Sequence, residues 1–482
     1  MKGEKLYESM NHVDDQILER SERRKQSRRR PWWMGAVAAV LVAAVAVGVM
    51  LRPEAGITAQ AIVTAEYPEM APYPLEEDYY DEATGEVDYE AYDQAYDAWW
   101  ESRKALSQEA GYANGLDSFF QKSIPVFLSG KEGENAAYSP VNVYMALAML
   151  GEVTGGSSRQ QILDLLGCGS IEQSREQANA VWKGQYQDDQ VSATILANSV
   201  WLRDGTSYNQ DTLQILGEDY YASSFQGTMG SEEYSEMLRA WLNEQTRDLL
   251  KDQTAGIELT PETVFALAST LYYKAAWGDE FSPQNTTPQT FHSPQGDVEV
   301  DFMHEVMENE DYYRGENFGI VRKYLKDGKY MWMILPDEGT APEELLEQGD
   351  AVDVLLSEVN WEEWERCEIH LALPKFDVTS DTDLLAGLQS LGVTDVMDSS
   401  LSDFTPMTTE ASNLYLSMAQ HAVRVKVDEE GVEAAAFTVL ATGESSEAPP
   451  PRKIDFVLDR PFLFAITSQD GLPLFVGVVN QP

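Results

Sequence analysis

The chain has 482 residues, is 43% hydrophobic and carries a formal net charge of −47. That length and apolar content suffice for one large core or two to three ordinary ones. The charge excludes a nucleic-acid binder, which needs Lys and Arg against phosphate. The two cysteines, Cys168 and Cys367, exclude a disulfide framework and a cysteine-based zinc site.

In chain order, residues 1–30 form a basic segment that ends in SERRKQSRRR (Ser21–Arg30). From Trp32 to Leu51 no residue is charged, and about 20 apolar residues span a bilayer. Trp32 and Trp33 suit the membrane interface, and the basic cluster before them sets a cytoplasmic N-terminus. Residues 31–52 are therefore expected to be a transmembrane signal anchor. The alternative is a cleaved secretory signal, with AQA (Ala59–Ala61) as the cleavage site; either way the bulk of the chain is exported. Residues 53–105 read as an acidic, Tyr-rich linker, solvated because its charge is unopposed. A short helix around DYEAYDQAYDAWW is possible within it.

Globular composition begins at 106 and continues to 482. LDSFFQKSIPVFLS reads as an apolar-faced helix, which Pro125 kinks or restarts. VNVYMALAMLGEVTGG reads as a buried helix stopped at Gly155-Gly156. SSRQQILDLLG follows, with Ser158 as N-cap and Gly167 as the stop. TILANSVWLRDG is a buried strand and YSEMLRAWLNEQTRDLLKD an amphipathic helix. VFALASTLYYKAAW is a buried strand or helix. KYMWMILP, EIHLALPKFDV, IDFVLDRPFLFAI and PLFVGVVN are strands by their β-branched and aromatic content. The fold class is α+β.

No G-x-S-x-G nucleophile elbow occurs. His304-Glu305 has no second histidine at zinc-binding spacing, and the whole chain has only five histidines. No metal-ligand cluster is visible, no cofactor is implied, and an enzyme is not indicated.

HAVRVKVDEEGVEAAAFT (His421–Thr438) resembles the hinge of the serpin family, in which Glu-Glu-Gly leads into an alanine-rich run. AAYSPVNVYMALAMLGEVTGGSSRQQILDLLG, LASTLYYKAAWGDEF, ALPKFDVTSDTDLLAGLQSLGVTDVMD, SDFTPMT and DRPFLFAITSQDGLPLFVGVVNQP resemble further serpin segments, in family order. The resemblance implies a serpin fold of three β-sheets with about nine helices and an exposed reactive-centre loop. It implies suicide inhibition of a serine protease, held as a covalent complex after acyl-enzyme formation and loop insertion. The alternative is a non-inhibitory serpin acting as a surface binding module. The inhibitor is expected to be a monomer with its serpin domain outside the cell.

The residues can be read against that mechanism. A loop that becomes a central strand must lack proline and alternate cleanly. Val432, Ala434, Ala436, Thr438, Leu440 and Thr442 make one face, and Glu433, Ala435, Phe437, Val439, Ala441 and Gly443 the other; the first proline is Pro449. The resemblance assigns the hinge to Glu429, Glu430, Gly431, Val432, Glu433, Ala434, Ala435, Ala436 and Thr438. Family register puts the scissile bond at Ser445-Ser446, with Glu444-Ser445 the near alternative, in a window from Leu440 to Ala448. A small residue there suits an elastase- or subtilisin-like protease. The cluster beneath the parting strands corresponds to Ser139, Asn142, Ser269 and His421, with Trp277 where the loop first enters. Asn142 stands where the family has Ser, and Ser269 where it has Asn; the two are expected to restore one another's hydrogen bonds.

Overall fold

The structure, a computed structural model, describes residues 60–81, 84–130, 133–357, 363–432 and 452–482. The N-terminal elements are β1 (Tyr80–Asp81), β2 (Glu86–Val87), α1 (Tyr89–Lys104), α2 (Asp117–Leu128), β3 (Ala136–Tyr138), α3 (Pro140–Val153), α4 (Gly156–Leu166) and α5 (Ile171–Gln185). Next come β4 (Gln187–Asp188), β5 (Ala193–Arg203), α6 (Gln210–Asp219), β6 (Ala222–Gly227), α7 (Glu232–Gln245), α8 (Lys251–Thr254) and β7 (Phe265–Ala276). The second half holds β8 (Thr287–Ser293), β9 (Gly296–Arg314), β10 (Phe318–Tyr324), β11 (Tyr330–Pro336), α9 (Pro342–Gln348), α10 (Asp350–Leu356), β12 (Trp364–Pro374), β13 (Phe376–Asp383) and α11 (Leu385–Ser390). It closes with β14 (Gln420–Val427), β15 (Gly431–Val432), β16 (Arg452–Val457), β17 (Phe462–Thr467) and β18 (Pro473–Val479). Eleven α-helices thus lie among the described residues, against the nine or so expected, and α8 and α11 are short pieces.

The strands form three sheets. A seven-stranded sheet runs β13-β14-β15-β7-β5-β4, with β6 also on β5. A nine-stranded sheet runs β16-β12-β9-β10-β11-β17-β18-β3, with β8 also on β9. The third is the β1-β2 hairpin. The nineteen-residue β9 is long enough to pair with β12 along much of its length and with β10 at its end.

Local chemistry explains several elements. Ser139 Oγ accepts from the Asn142 N–H at 3.3 Å and Pro140 occupies the first turn, so α3 starts sharply. Nearly every residue of α3 is buried, because it lies in the core between the two large sheets. The ambiguous VFALASTLYYKAAW is a strand: β7 pairs with β5 from Phe265↔Leu202 to Lys274↔Ala193, an extended ladder that a helix could not make. Pro125 sits inside α2 without ending it.

Three expectations are corrected. Ser158 is not an N-cap; Gly155 is, and the Ser158 hydroxyl instead accepts from the Asp403 N–H at 3.3 Å. The helix predicted to run to Asp252 stops at Gln245, because Arg247 and Asp248 turn left-handed at φ +49° and +64°. The segment expected to be a solvated linker packs on the body from Ile62 onward. Val63 bridges to Ser224 at the edge of β6, and the Tyr67 ring lies 5.2 Å from that of Trp182. Trp99 Nε1 donates to the buried Asp189 carboxylate at 3.0 Å, so its charge lies outward while its aromatic residues hold it down.

The membrane anchor expected at residues 32–51 lies outside the described residues. Among the described residues no helix is long and apolar enough to cross a membrane.

Candidate loop-insertion site

The site lies where β7 and β14 diverge. Among the described residues no ladder joins these two strands directly. At one end the two residues of β15 fill the space: Gly431 pairs with Ala276, and Val432 with both Ala275 and Val427. Val432 is buried. A Cβ on Gly431 would stand 2.2 Å from the Ala275 carbonyl oxygen and 2.7 Å from Ala276 Cα, so only glycine fits so close to β7.

Groups from residues 277–286 and from Lys375, both remote in sequence, hold the turn before β15. The buried Trp277 donates from Nε1 to the Asp428 carbonyl at 2.9 Å, and its backbone N–H donates to the Glu430 carbonyl at 3.0 Å. The Phe281 N–H donates to the Glu429 carbonyl at 3.0 Å. The Glu429 carboxylate pairs with Lys375 Nζ at 2.9 Å and accepts from the Thr286 hydroxyl at 2.9 Å. Burial pushes the Glu429 carboxyl up, but hydrogen bonds from Lys375, its own backbone and Thr286 outweigh this and hold it below the usual range. The same hydrogen bond raises the Lys375 ammonium. The Lys323 ammonium lies 5.6 Å from the Trp277 ring and 4.7 Å from the Phe281 ring, and pairs with Glu305.

Farther along the same two strands a cavity of about 690 Å³ lies between residues 264–270, mostly β7, and residues 413–422, which lead into β14. Asn142, Ser269 and His421 line it together with apolar side chains such as Leu147, Leu238 and Ala266. The Ser269 hydroxyl donates to the Asn142 amide oxygen, and Asn142 Nδ2 donates to the Ser269 carbonyl at 3.4 Å. The buried His421 accepts at Nε2 from the Ser139 N–H at 3.0 Å, with its ring against Tyr138 at 5.5 Å. The structure thus gathers Ser139, Asn142, Ser269 and His421 in one cluster. It places Trp277 with Glu429, Glu430, Gly431 and Val432 in another. Glu433, Ala434, Ala435, Ala436 and Thr438, and the bond candidates Glu444, Ser445 and Ser446, lie outside the described residues. Sequence reasoning missed Lys375, Thr286, Phe281 and Lys323. Each lies far along the chain from residue 429, so no spacing rule could have found it.

Among the described residues, no group of three or more His, Cys, Asp or Glu side chains could hold a metal ion.

Residues 118–482 match the family described as Serpin (serine protease inhibitor). The chain is 30% identical over 376 residues to Serpin-Z2B of Triticum aestivum, covering 72% of this chain and 90% of that protein. It is 26% identical over 373 residues to Serpin B11 of Mus musculus, covering 73% and 95%. Among solved structures, the native state of the thermophilic serpin Tengpin matches with a TM-score of 0.68 at 24% identity, covering 78% of this chain and 95% of that one. Thyroxine-binding globulin in complex with thyroxine matches with a TM-score of 0.65 at 20% identity, covering 76% and 99%. These last two show likeness of fold. With a family match over three quarters of its length and a relative 30% identical over 376 residues, this chain belongs to the serpin family, whose members are generally protease inhibitors.

Proposed function

We propose that this protein is a suicide-type inhibitor of serine proteases, with an elastase- or subtilisin-like enzyme as the favoured target. The protease attacks the loop beyond Val432, at Ser445-Ser446 or close by, and is trapped as the acyl-enzyme. The loop then zips between β7 and β14, and the sheet gains a central strand. The observation that carries this reading is β15 itself: the first two residues of the loop-bearing segment already pair with both flanking strands, and a separate cavity lies between the far parts of the same two strands. The alternating, proline-free sequence from Val432 to Thr442 supports it. The cluster of Ser139, Asn142, Ser269 and His421 acts as the closure that parts on insertion, and Trp277 marks the point where the strand starts. On this reading the uninserted form is kinetically trapped.

The uncharged run at residues 32–51 supports placing the inhibitor on the outer face of a membrane. The test is incubation with elastase-, subtilisin-, trypsin- and Glu-specific proteases, followed by denaturing gels and mass spectrometry of the released C-terminal peptide. A gel-stable complex and a peptide beginning at Ser446 are expected. Cleavage within Leu440–Ala448 with neither a complex nor added heat resistance would mean a non-inhibitory binding module instead.

A further inference from the structure

A second concavity, of about 1240 Å³, opens beside the hinge between the docked N-terminal segment and the body. Its walls are aromatic: Tyr73, Tyr92 and Trp99 from the segment face Tyr324 and Tyr330 from β10 and β11. Its charge is unbalanced. The basic side chains that line it are already matched: Lys323 with Glu305, Lys326 with Glu280 at 2.9 Å, and Arg366 and Arg322 with Asp311 at 3.0 and 3.7 Å. Glu76, Asp279, Glu308 and Glu310 line the same space with no ion-pair partner among the described residues. A bulge brings in two of these: β9 slips register against β12 opposite Cys367–Ile369, and Asn309 turns left-handed at φ +62°. Strict alternation is broken there, so Val306, Met307, Glu308 and Glu310 all border the cleft.

We propose that this cleft binds a linear polyamine, its ammonium groups on the unmatched carboxylates and its methylene spacers on the aromatic rings. Four observations choose that chemistry. A volume of this order suits a small ligand rather than a folded partner. The carboxylates do not converge as a metal site would, since no group of three or more acidic, His or Cys side chains among the described residues could hold an ion; the ligand must carry several separated charges. The unmatched carboxylates only accept hydrogen bonds, so a ligand made of donors is satisfied where a peptide backbone, which also needs donors, is less so. The rings already attract cations, with the Arg103 guanidinium 5.7 Å from the Trp99 ring and that of Arg322 4.8 Å from Tyr330, and the same cation–π attraction acts on an ammonium in the cleft. The cleft is distinct from the insertion cavity, although Ala276 and Gly278 beside Trp277 form part of its wall.

The test is calorimetric titration of the full chain with spermine at physiological salt. One saturable site per chain is expected. Glu308→Gln with Glu310→Gln should weaken it at least tenfold, and Tyr324→Leu, an exposed position, should weaken it several-fold. Glu233→Gln with Glu236→Gln on α7 removes the same charge far from the cleft and should leave affinity unchanged. Equal weakening by both charge pairs, or binding without saturation, overturns the proposal in favour of diffuse attraction to a polyanion. Tighter binding of a tri-lysine peptide at the same site overturns the choice of ligand.

Discussion

Replacing Gly431 by alanine is the most direct perturbation of the proposed mechanism. The added methyl meets the Ala275 carbonyl oxygen at 2.2 Å and Ala276 Cα at 2.7 Å. Both are backbone atoms of β7, which β5 holds as far as the neighbouring Lys274, so neither can swing aside as the end of a side chain would. β15 must leave the space between β7 and β14. The loss includes burial of Val432, worth about 1.5–3 kcal/mol, and the Asp428 N–H to Gly431 carbonyl hydrogen bond, worth about 0.5–1.5 kcal/mol. The total is about 2–4.5 kcal/mol. With an unfolding entropy of roughly 2.1 cal/mol/K per residue, the domain matched over residues 118–482 should lose about 3–6 °C of apparent Tm. Insertion competes with deacylation, and each 1.4 kcal/mol added to its barrier slows it about tenfold. Gly431→Ala should therefore be cleaved more and trap less. Scanning calorimetry and the stoichiometry of inhibition against a protease that forms the complex measure both effects. An unchanged Tm with unchanged stoichiometry would refute the claim that β15 starts the inserted strand.

Asn142→Ser should cost about 1–3 kcal/mol, because it removes the amide that meets Ser269 in a buried setting. Adding Ser269→Asn should recover much of that loss, and a double-mutant cycle by urea unfolding that is simply additive would reject the pairing. The Glu429 carboxyl is held below its unfolded value, so its stabilisation is complete above about pH 5 and is lost as pH falls through the folded value. Glu429→Gln should accordingly be less stable than the parent at pH 7, with the difference closing as pH falls below about 4 in acid-unfolding curves. Trp99→Ala removes the bond to Asp189 and the ring against Tyr73; limited proteolysis should then cut within residues 70–104 faster, while the rest of the domain stays resistant.

Much of the fold was legible because it is written locally. α3 and its cap follow from Ser139-Pro140 ahead of an apolar run, and Gly167 ends α4 in the left-handed geometry expected of it. β5, β11, β12, β17 and β18 follow from β-branched and aromatic content. The break after Gln245 was not legible, since a helical pattern continues through it in sequence. Ser158 was misassigned because a serine near a helix start caps only if its hydroxyl faces the first turn, and here Asp403 from a remote loop takes it.

The sequence by itself determined the apolar run at residues 32–51, the serpin segments in order and the proline-free alternation from Val432 to Thr442, because each rests on spacing between near neighbours. Only the tertiary structure decided how the turn before β15 is held. Glu429 is gripped by Lys375 and Thr286, 54 and 143 residues away, and the acidic tyrosine-rich segment is docked through Trp99 on Asp189, 90 residues on. Such contacts depend on which strands come to lie side by side. Local propensity and periodicity carry no information about that choice, which is made when the core is buried as a whole.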